Sequence, residues 1–390
     1  MDDQGKQIGR SFSVSNDLDG ASKIGEMIRT TAEANQAREV RIGLESTSVY
    51  GWHLRDFLFD LDSLRKHSPL VYEINPSMVA TFKKSYSHKP KTDSLDAYAI
   101  AQRVRFGELR PYSRTQMTTA PLQQLTRLRL HLVQTLTTEQ TRALNLLFLK
   151  FSAYKQANPF SDLFGKASTA VLDQFTLEEF AGFSVEELAS FIARNGNNRL
   201  KDPGESAKVI QSAAKRSYRL NPKMRDAVGV TLSLTLQNVE FLRSQVKKAD
   251  AVIERELQAF PQTLTTVPGI GPVFAAGMVS EIGDVSRFKD HGALAQYAGL
   301  TWTRYQSGDF EAEEHSLTKT GNKYLRYYLV EAANSLRVHN EGFKRFYQRK
   351  YQEVPKHQHK RALVLTARKL VRLVFSMLRK RQIYRPEVYP

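Results

Sequence analysis

The sequence predicts an N-terminal α/β layer followed by a long, mainly helical remainder, and three observations lead there. Apolar, strand-like runs alternate with amphipathic stretches up to Pro111. Leucines then recur at three-four spacing, and residues 261 to 345 are rich in glycine and small side chains. At 390 residues the chain exceeds one compact core of ordinary size, so two or three domains are expected.

The elements follow in order. Asp2-Asp3-Gln4-Gly5-Lys6 has the residue types of a hairpin turn, and Gln7 to Ser15 alternates as its second strand, with Ile8, Phe12 and Val14 on one face. Residues 20 to 38 read as an amphipathic helix through Ile24, Met27 and Ile28. A buried-type strand at Val40 to Leu44, a helix near Val49 to Leu61 and a second strand at Leu70 to Ile74 come next. Strands separated by helices pair in parallel, because the crossover returns the chain to the same edge. Beyond Pro111, Leu125, Leu128, Leu132 and Leu136, and later Val239, Leu242, Val246, Ala249 and Ile253, carry the spacing of a coiled coil, a long helical hairpin or a simple bundle core. Between them, Asn158-Pro159, Gly165, Asn195-Gly196-Asn197-Asn198 and Pro203-Gly204 punctuate a helical insertion at 152 to 216. The expected domains are 1 to 113, 114 to 260, 261 to 345, and a basic helical tail over 346 to 390.

Charge narrows the partners. The chain carries 57 Lys and Arg against 40 Asp and Glu, and 14 of the former against three Glu fall in the last 50 residues. Such a concentration attracts polyphosphate, which points to nucleic acid. No apolar run reaches the roughly 20 residues that span a bilayer, and no leader is recognised, so a cytoplasmic home is expected. With no cysteine, disulfides, zinc-thiolate sites and cysteine nucleophiles are excluded.

Three carboxylates stand out. Glu45 closes an apolar strand, and Asp93 and Asp96, three apart at a helix start, face the same way. A phosphoryl-transfer site built on Mg²⁺ needs such converging hard oxygens. Taken singly, Asp93 reads equally as a helix N-cap and Asp96 as a first-turn acid. Downstream, Thr266-Val267-Pro268-Gly269-Ile270-Gly271-Pro272 resembles the turn of a helix-hairpin-helix, where Gly269 and Gly271 would let backbone N–H groups approach a phosphate. Ser307, in Tyr305-Gln306-Ser307-Gly308, is a hydroxyl in a polar turn. Lys319, Asn322, Arg326 and, more loosely, Arg304 are cationic or polar enough to grip phosphate. In the tail, cations interleave with Phe343, Phe346, Tyr347, Tyr351 and Phe375, a surface for backbone and bases or else core.

The runs Val40 to Tyr50, Tyr72 to Pro76, Lys91 to Ala101, Tyr297 to Leu300, Gln306-Ser307-Gly308 and Lys319 to Arg326, in that order, resemble the IS110-type family of transposases. The resemblance covers nearly all of the chain outside 152 to 216. It implies a RuvC-type, RNase H-like domain with an Asp-Glu-Asp-Asp metal site, joined through a coiled coil to a mainly helical domain bearing a nucleophilic serine. By motif position the second, third and fourth acids are Glu45, Asp93 and Asp96, and the serine is Ser307. The first acid would lie on a strand just before the Asp2-Asp3-Gln4-Gly5 turn, so the sequence is expected to begin one strand late. The resemblance further implies two Mg²⁺ ions, donor and target DNA, a structured guide RNA, and dimers that pair into a tetramer. Two rival readings remain: a RuvC-like nuclease that resolves branched DNA by water attack, and a catalytically inactive nucleic-acid-binding scaffold.

Overall fold

The computed structural model describes residues 1–46, 49–84, 92–197, 200–302, 306–307, 310–311 and 317–386, mostly helical, in two compact units, 1–118 and 119–390. In the first, α1 (Leu18–Ala34) is capped by Asp17, whose carboxylate accepts from Gly20 N at 2.8 Å. Strand β1 (Val40–Glu45) pairs in parallel with β2 (Pro69–Ile74) from Val40 opposite Pro69 to Glu45 opposite Ile74. Helix α2 (Trp52–Asp60) makes the crossover, followed by a 3₁₀ turn at Asp62–His67. Asn75-Pro76 then supplies an N-cap and first-turn proline for α3 (Pro76–Lys83), and α4 (Asp93–Phe106) completes the layer.

The two faces of this small sheet separate by residue parity. Val40, Ile42, Leu44 and Val71 pack with Ile24, Ile28, Leu58 and Leu64 against α1 and α2. Leu70, Tyr72 and Ile74 pack with Val79, Ala99, Ile100 and Val104 of α3 and α4. Helices on both faces force both sets of side chains to be apolar, which is why the strands read as near-continuous hydrophobic runs. On α2, Arg55 is a buried charge. It is only 4% exposed, ties α2 to Glu73 of β2 at 3.0 Å, and stacks 4.2 Å from the Tyr112 ring. Gln7–Ser15, expected as a strand, is not one. The Asp2–Lys6 turn forms, with Gly5 N donating to Asp2 O at 3.1 Å, but no described strand pairs with residues 7–15.

In the second unit, α5 (Arg114–Lys150, its first turn lying in the preceding unit) and α11 (Pro222–Leu257) are the long elements. They run antiparallel: Leu122 shares a core with Ile253 and Leu257, Arg129 pairs with Asp250, and Ala143 and Leu147 share another core with Leu232 and Leu236. The buried line on α5 is Leu122, Thr126 and Leu130, whereas Leu128 of the expected seam is 49% exposed. Both helices have other partners at each end, and those partners, rather than a continuous mutual seam, decide which face turns inward. Between them, α6 (Tyr154–Ala157), α7 (Lys166–Gln174), α8 (Glu179–Gly182), α9 (Val185–Asn195) and α10 (Pro203–Arg216) enclose a core around Tyr154, Phe180 and Ile192. The opposite end holds α12 (Pro272–Ile282), α13 (His291–Tyr297), a hairpin of β3 (Gln306–Ser307) and β4 (Phe310–Glu311), then α14 (Lys323–His339), α15 (Glu341–Gln352) and α16 (Gln358–Lys380). Their core is built on Tyr328, Leu329, Leu370 and Val374, all fully buried.

Candidate functional site

Glu45 occupies the last position of β1, opposite Ile74, and Asp93 and Asp96 lie in the first turn of α4. The N-cap of α4 is Thr92, whose hydroxyl accepts from Leu95 N, so neither aspartate is needed as the cap. Gly43 sets how closely the helix meets the strand. A Cβ there would stand 2.7 Å from the methyl groups of both Ile100 and Val104, so the missing side chain is the slot into which α4 settles on β1. Alternation along a strand puts Glu45 on the same face as Gly43. The 3-4-4 spacing of Asp93, Asp96, Ile100 and Val104 puts both aspartates on the α4 face that touches Gly43. Strand and helix therefore present their carboxylates to a shared side of the sheet.

Lys83, at the end of α3, forms an ion pair with Asp96; both side chains are less than a third exposed. Among the described residues, no group of three or more His, Asp or Glu lies close enough to hold a metal ion. The three acids are of the chemical type a hard cation takes, but they are not gathered into one cluster, and Lys83 occupies Asp96.

Ser307 ends the first strand of a two-stranded antiparallel hairpin in which Gln306 opposes Glu311 and Ser307 opposes Phe310. On the flanking segments, Trp302 and Leu317 form an isolated bridge, Thr318 N donates to Thr301 O at 2.8 Å, and the two threonine hydroxyls lie 3.1 Å apart. Arg304, and Gly308-Asp309 between the two strands, lie outside the described residues.

These flanking segments are interlocked. Gly299 and Gly321, both at positive φ (+65 and +105), meet the backbone of the opposite segment: a Cβ would fall 2.3 Å from Thr320 O in one case and 2.4 Å from Tyr297 O in the other. Asn322 N donates to Tyr297 O at 2.7 Å, and the Arg326 guanidinium donates to Ala298 O and Lys319 O at 3.2 and 3.0 Å. Arg326 is thereby a clasp across the hairpin base. Asn322 is the N-cap of α14, its Oδ1 accepting from Tyr324 N and Leu325 N. Its amide nitrogen donates to Glu281 at 2.7 Å and to the Tyr297 hydroxyl at 3.1 Å. Lys319 is exposed, at φ +52.

Sequence reasoning missed Glu281. Its side chain is wholly buried, and it accepts from Arg127 Nε and Nη2 (2.7 and 2.9 Å), Gln123 Nε2 (3.1 Å) and Asn322 Nδ2 (2.7 Å). Burial opposes the charge of Arg127, but hydrogen bonding and ion pairing with Glu281 prevail and hold its pKa above the usual value. The available signal was a lone carboxylate in an otherwise apolar helix, since a buried charge must be paired.

Gly269, at φ +99, packs against the backbone of Leu336 on α14, and Gly271 caps α12 with open space around it; a 3₁₀ turn at Leu264–Thr266, rather than a full helix, precedes them. In the tail, Phe343 is core, while Phe346 is surrounded by the cations of Arg349, Lys350 and Lys369 at 5.3, 5.8 and 5.1 Å. Burial first, then Arg349 and Arg345, hold Lys369 below the usual lysine value. Helix α16 contains seven Lys and Arg and no acid. A cavity of about 400 Å³ beside Phe175, Phe183 and Phe191 lies in the insertion and touches none of these residues. No helix among the described residues is long and apolar enough to cross a membrane.

Comparison with known proteins bears on both units. A family model described as transposase, of the IS110 DEDD type, matches residues 1–151, and one described as the transposase IS116/IS110/IS902 family matches residues 261–348. The uncharacterized 44.8 kDa protein of insertion element IS116 from Streptomyces clavuligerus is 24% identical over 98% of this chain and 95% of its own length. The transposase for insertion sequence element IS1111A of Coxiella burnetii is 27% identical over 45% of this chain and 51% of its own. The pilin gene-inverting protein of Moraxella bovis is 26% identical over 40% and 50%.

Proposed function

This chain belongs to the IS116/IS110/IS902 family of transposases, enzymes that recombine insertion-sequence DNA, and from that premise we propose that it cuts and rejoins DNA through Ser307 with Mg²⁺ held at Glu45, Asp93 and Asp96. The observation that supports the reading is the close packing of α4 on β1 at Gly43, which sets the helix bearing Asp93 and Asp96 against the strand that ends in Glu45. Oxygen-only donors suit Mg²⁺, which would stabilise charge on the reacting phosphate when bound.

The work assigned to the chain's own residues is positional. The Ser307 oxygen bonds to a backbone phosphorus, one phosphate ester bond breaks, and the displaced nucleoside keeps the hydroxyl with the proton given up by serine. Bond energy is conserved in a phosphoserine link, and reversal of the step rejoins DNA. Serine is a weak nucleophile without activation, which is why a metal site and a serine occur in one enzyme. Arg326 and Asn322 hold the hairpin base, Lys319 faces solvent where a phosphate could be met, and the cations of α15 and α16 grip nucleic-acid backbone. Target choice by a structured guide RNA, and assembly of dimers into a tetramer so that one copy's acids serve another's serine, belong to the same proposal.

The test uses the full chain with a plasmid carrying the genomic DNA that flanks its coding sequence on both sides. Ser307→Ala should retain DNA binding and lose covalent protein–DNA adducts, and Asp96→Ala should lose cleavage. Cleavage that survives Ser307→Ala but not Asp96→Ala would assign the chemistry to water instead.

A further inference from the structure

We infer that Glu281 is a positioning residue for the strand-transfer step: it fixes the base of the hairpin on which Ser307 stands. This rests on the Ser307 reading above. A carboxylate taken wholly out of water is tolerated only where donors replace its hydration, and Glu281 has four, drawn from α5 and from the N-cap of α14.

A core position in α12 could have been apolar at no such cost, so what matters is what the carboxylate holds. Through Asn322 it orients the residue whose backbone N–H locks onto Tyr297 O and whose side chain reaches the Tyr297 hydroxyl. Those two residues end the segments from which the hairpin rises, four residues before Thr301 and four after Thr318. Arg127, pinned by the same carboxylate, lies 4.3 Å from the Tyr324 ring in the first turn of α14. The α5–α12–α14 junction is further closed by the Tyr328 hydroxyl donating to Thr126 O at 2.6 Å and by the Thr126–Ser280 hydroxyl pair at 3.3 Å. Without the carboxylate, the Asn322 amide loses its charged acceptor and the segments that lead to β3 and away from β4 lose their common anchor. Reaction rates fall steeply when a nucleophile is misplaced by about 1 Å, so the Ser307 step should register that loss.

The experiment compares wild type, Ser307→Ala, Glu281→Gln, and the exchange Glu281→Gln with Asn322→Asp. The exchange returns a carboxylate–amide hydrogen bond with the roles reversed and keeps a side-chain cap on α14. Covalent adduct formation on the flanking-DNA plasmid is followed as a single turnover, in which amplitude reports the competent fraction and rate constant reports the step. Glu281→Gln should lower the rate constant at saturating DNA by tenfold or more, with amplitude and half-saturating DNA concentration within about twofold of wild type. The exchange should recover most of the loss. A merely structural Glu281 would lower amplitude and thermal midpoint at an unchanged rate constant, and that result overturns the inference. Adducts persisting in Ser307→Ala would instead overturn the reading on which it rests.

Discussion

Lys83 sets the electrostatic condition for a cation to enter the proposed metal site. Its ammonium neutralises Asp96, so a divalent ion must displace it or share the carboxylate. Lys83→Met should therefore lower the Mn²⁺ concentration for half-saturation about two- to fivefold, since a pair of this exposure is worth roughly 0.5–1 kcal/mol. Calorimetric titration of the full chain reads this directly, and an unaltered affinity would remove Asp96 from the metal site. At this scale the sequence was legible for residues whose role is local. Glu45 at a strand end and the two aspartates at a helix start could be placed from their neighbours. It was not legible for Arg55 and Glu281, whose burial depends on partners 18 and 154 residues away. Nothing in the residues around Glu281 names a partner 154 positions away.

Among elements, the packing of α4 on β1 is what the proposed metal site depends on. Gly43→Val would place carbon where Ile100 and Val104 already lie, and overpacking of this kind costs about 1–3 kcal/mol. The expected outcome is a lower thermal midpoint and weakened Mn²⁺ binding together, with Asp93 and Asp96 lifted from Glu45. Loss of stability with unchanged metal affinity would show that this packing does not assemble the acids. Parallel pairing of β1 and β2 followed from their apolar runs and the intervening helix, because few other connections can join such strands. The face of α5 did not follow from its leucines. Leu128 and Leu130 are equally apolar, yet the first is half exposed and the second is buried, a choice that residue type alone does not make.

For the whole molecule, charge and motif order speak to function more clearly than any single residue. The excess of cations in the last 50 residues becomes, in the structure, a surface on α15 and α16 where Arg345, Arg349 and Lys369 repel one another around Phe346. Replacing all three by Gln should weaken nucleic-acid binding by a similar factor for every sequence tested. The slope of log K against log salt should fall by about two to three, close to one for each phosphate no longer neutralised. An unchanged slope would leave these helices outside the interface. The six motifs that identified the family also acquire physical content. Tyr297–Leu300 and Lys319–Arg326 are two sides of one clasp, separated in sequence by the hairpin they support. The central claim is that this hairpin delivers a side-chain oxygen to a DNA phosphate. The most direct measurement is mass spectrometry of peptides from the chain trapped during reaction and treated with nuclease. The account predicts a nucleotide phosphate attached at Ser307, absent when Asp96 is Ala, whereas DNA cut without any modified serine, or a nucleotide on another residue, would contradict it.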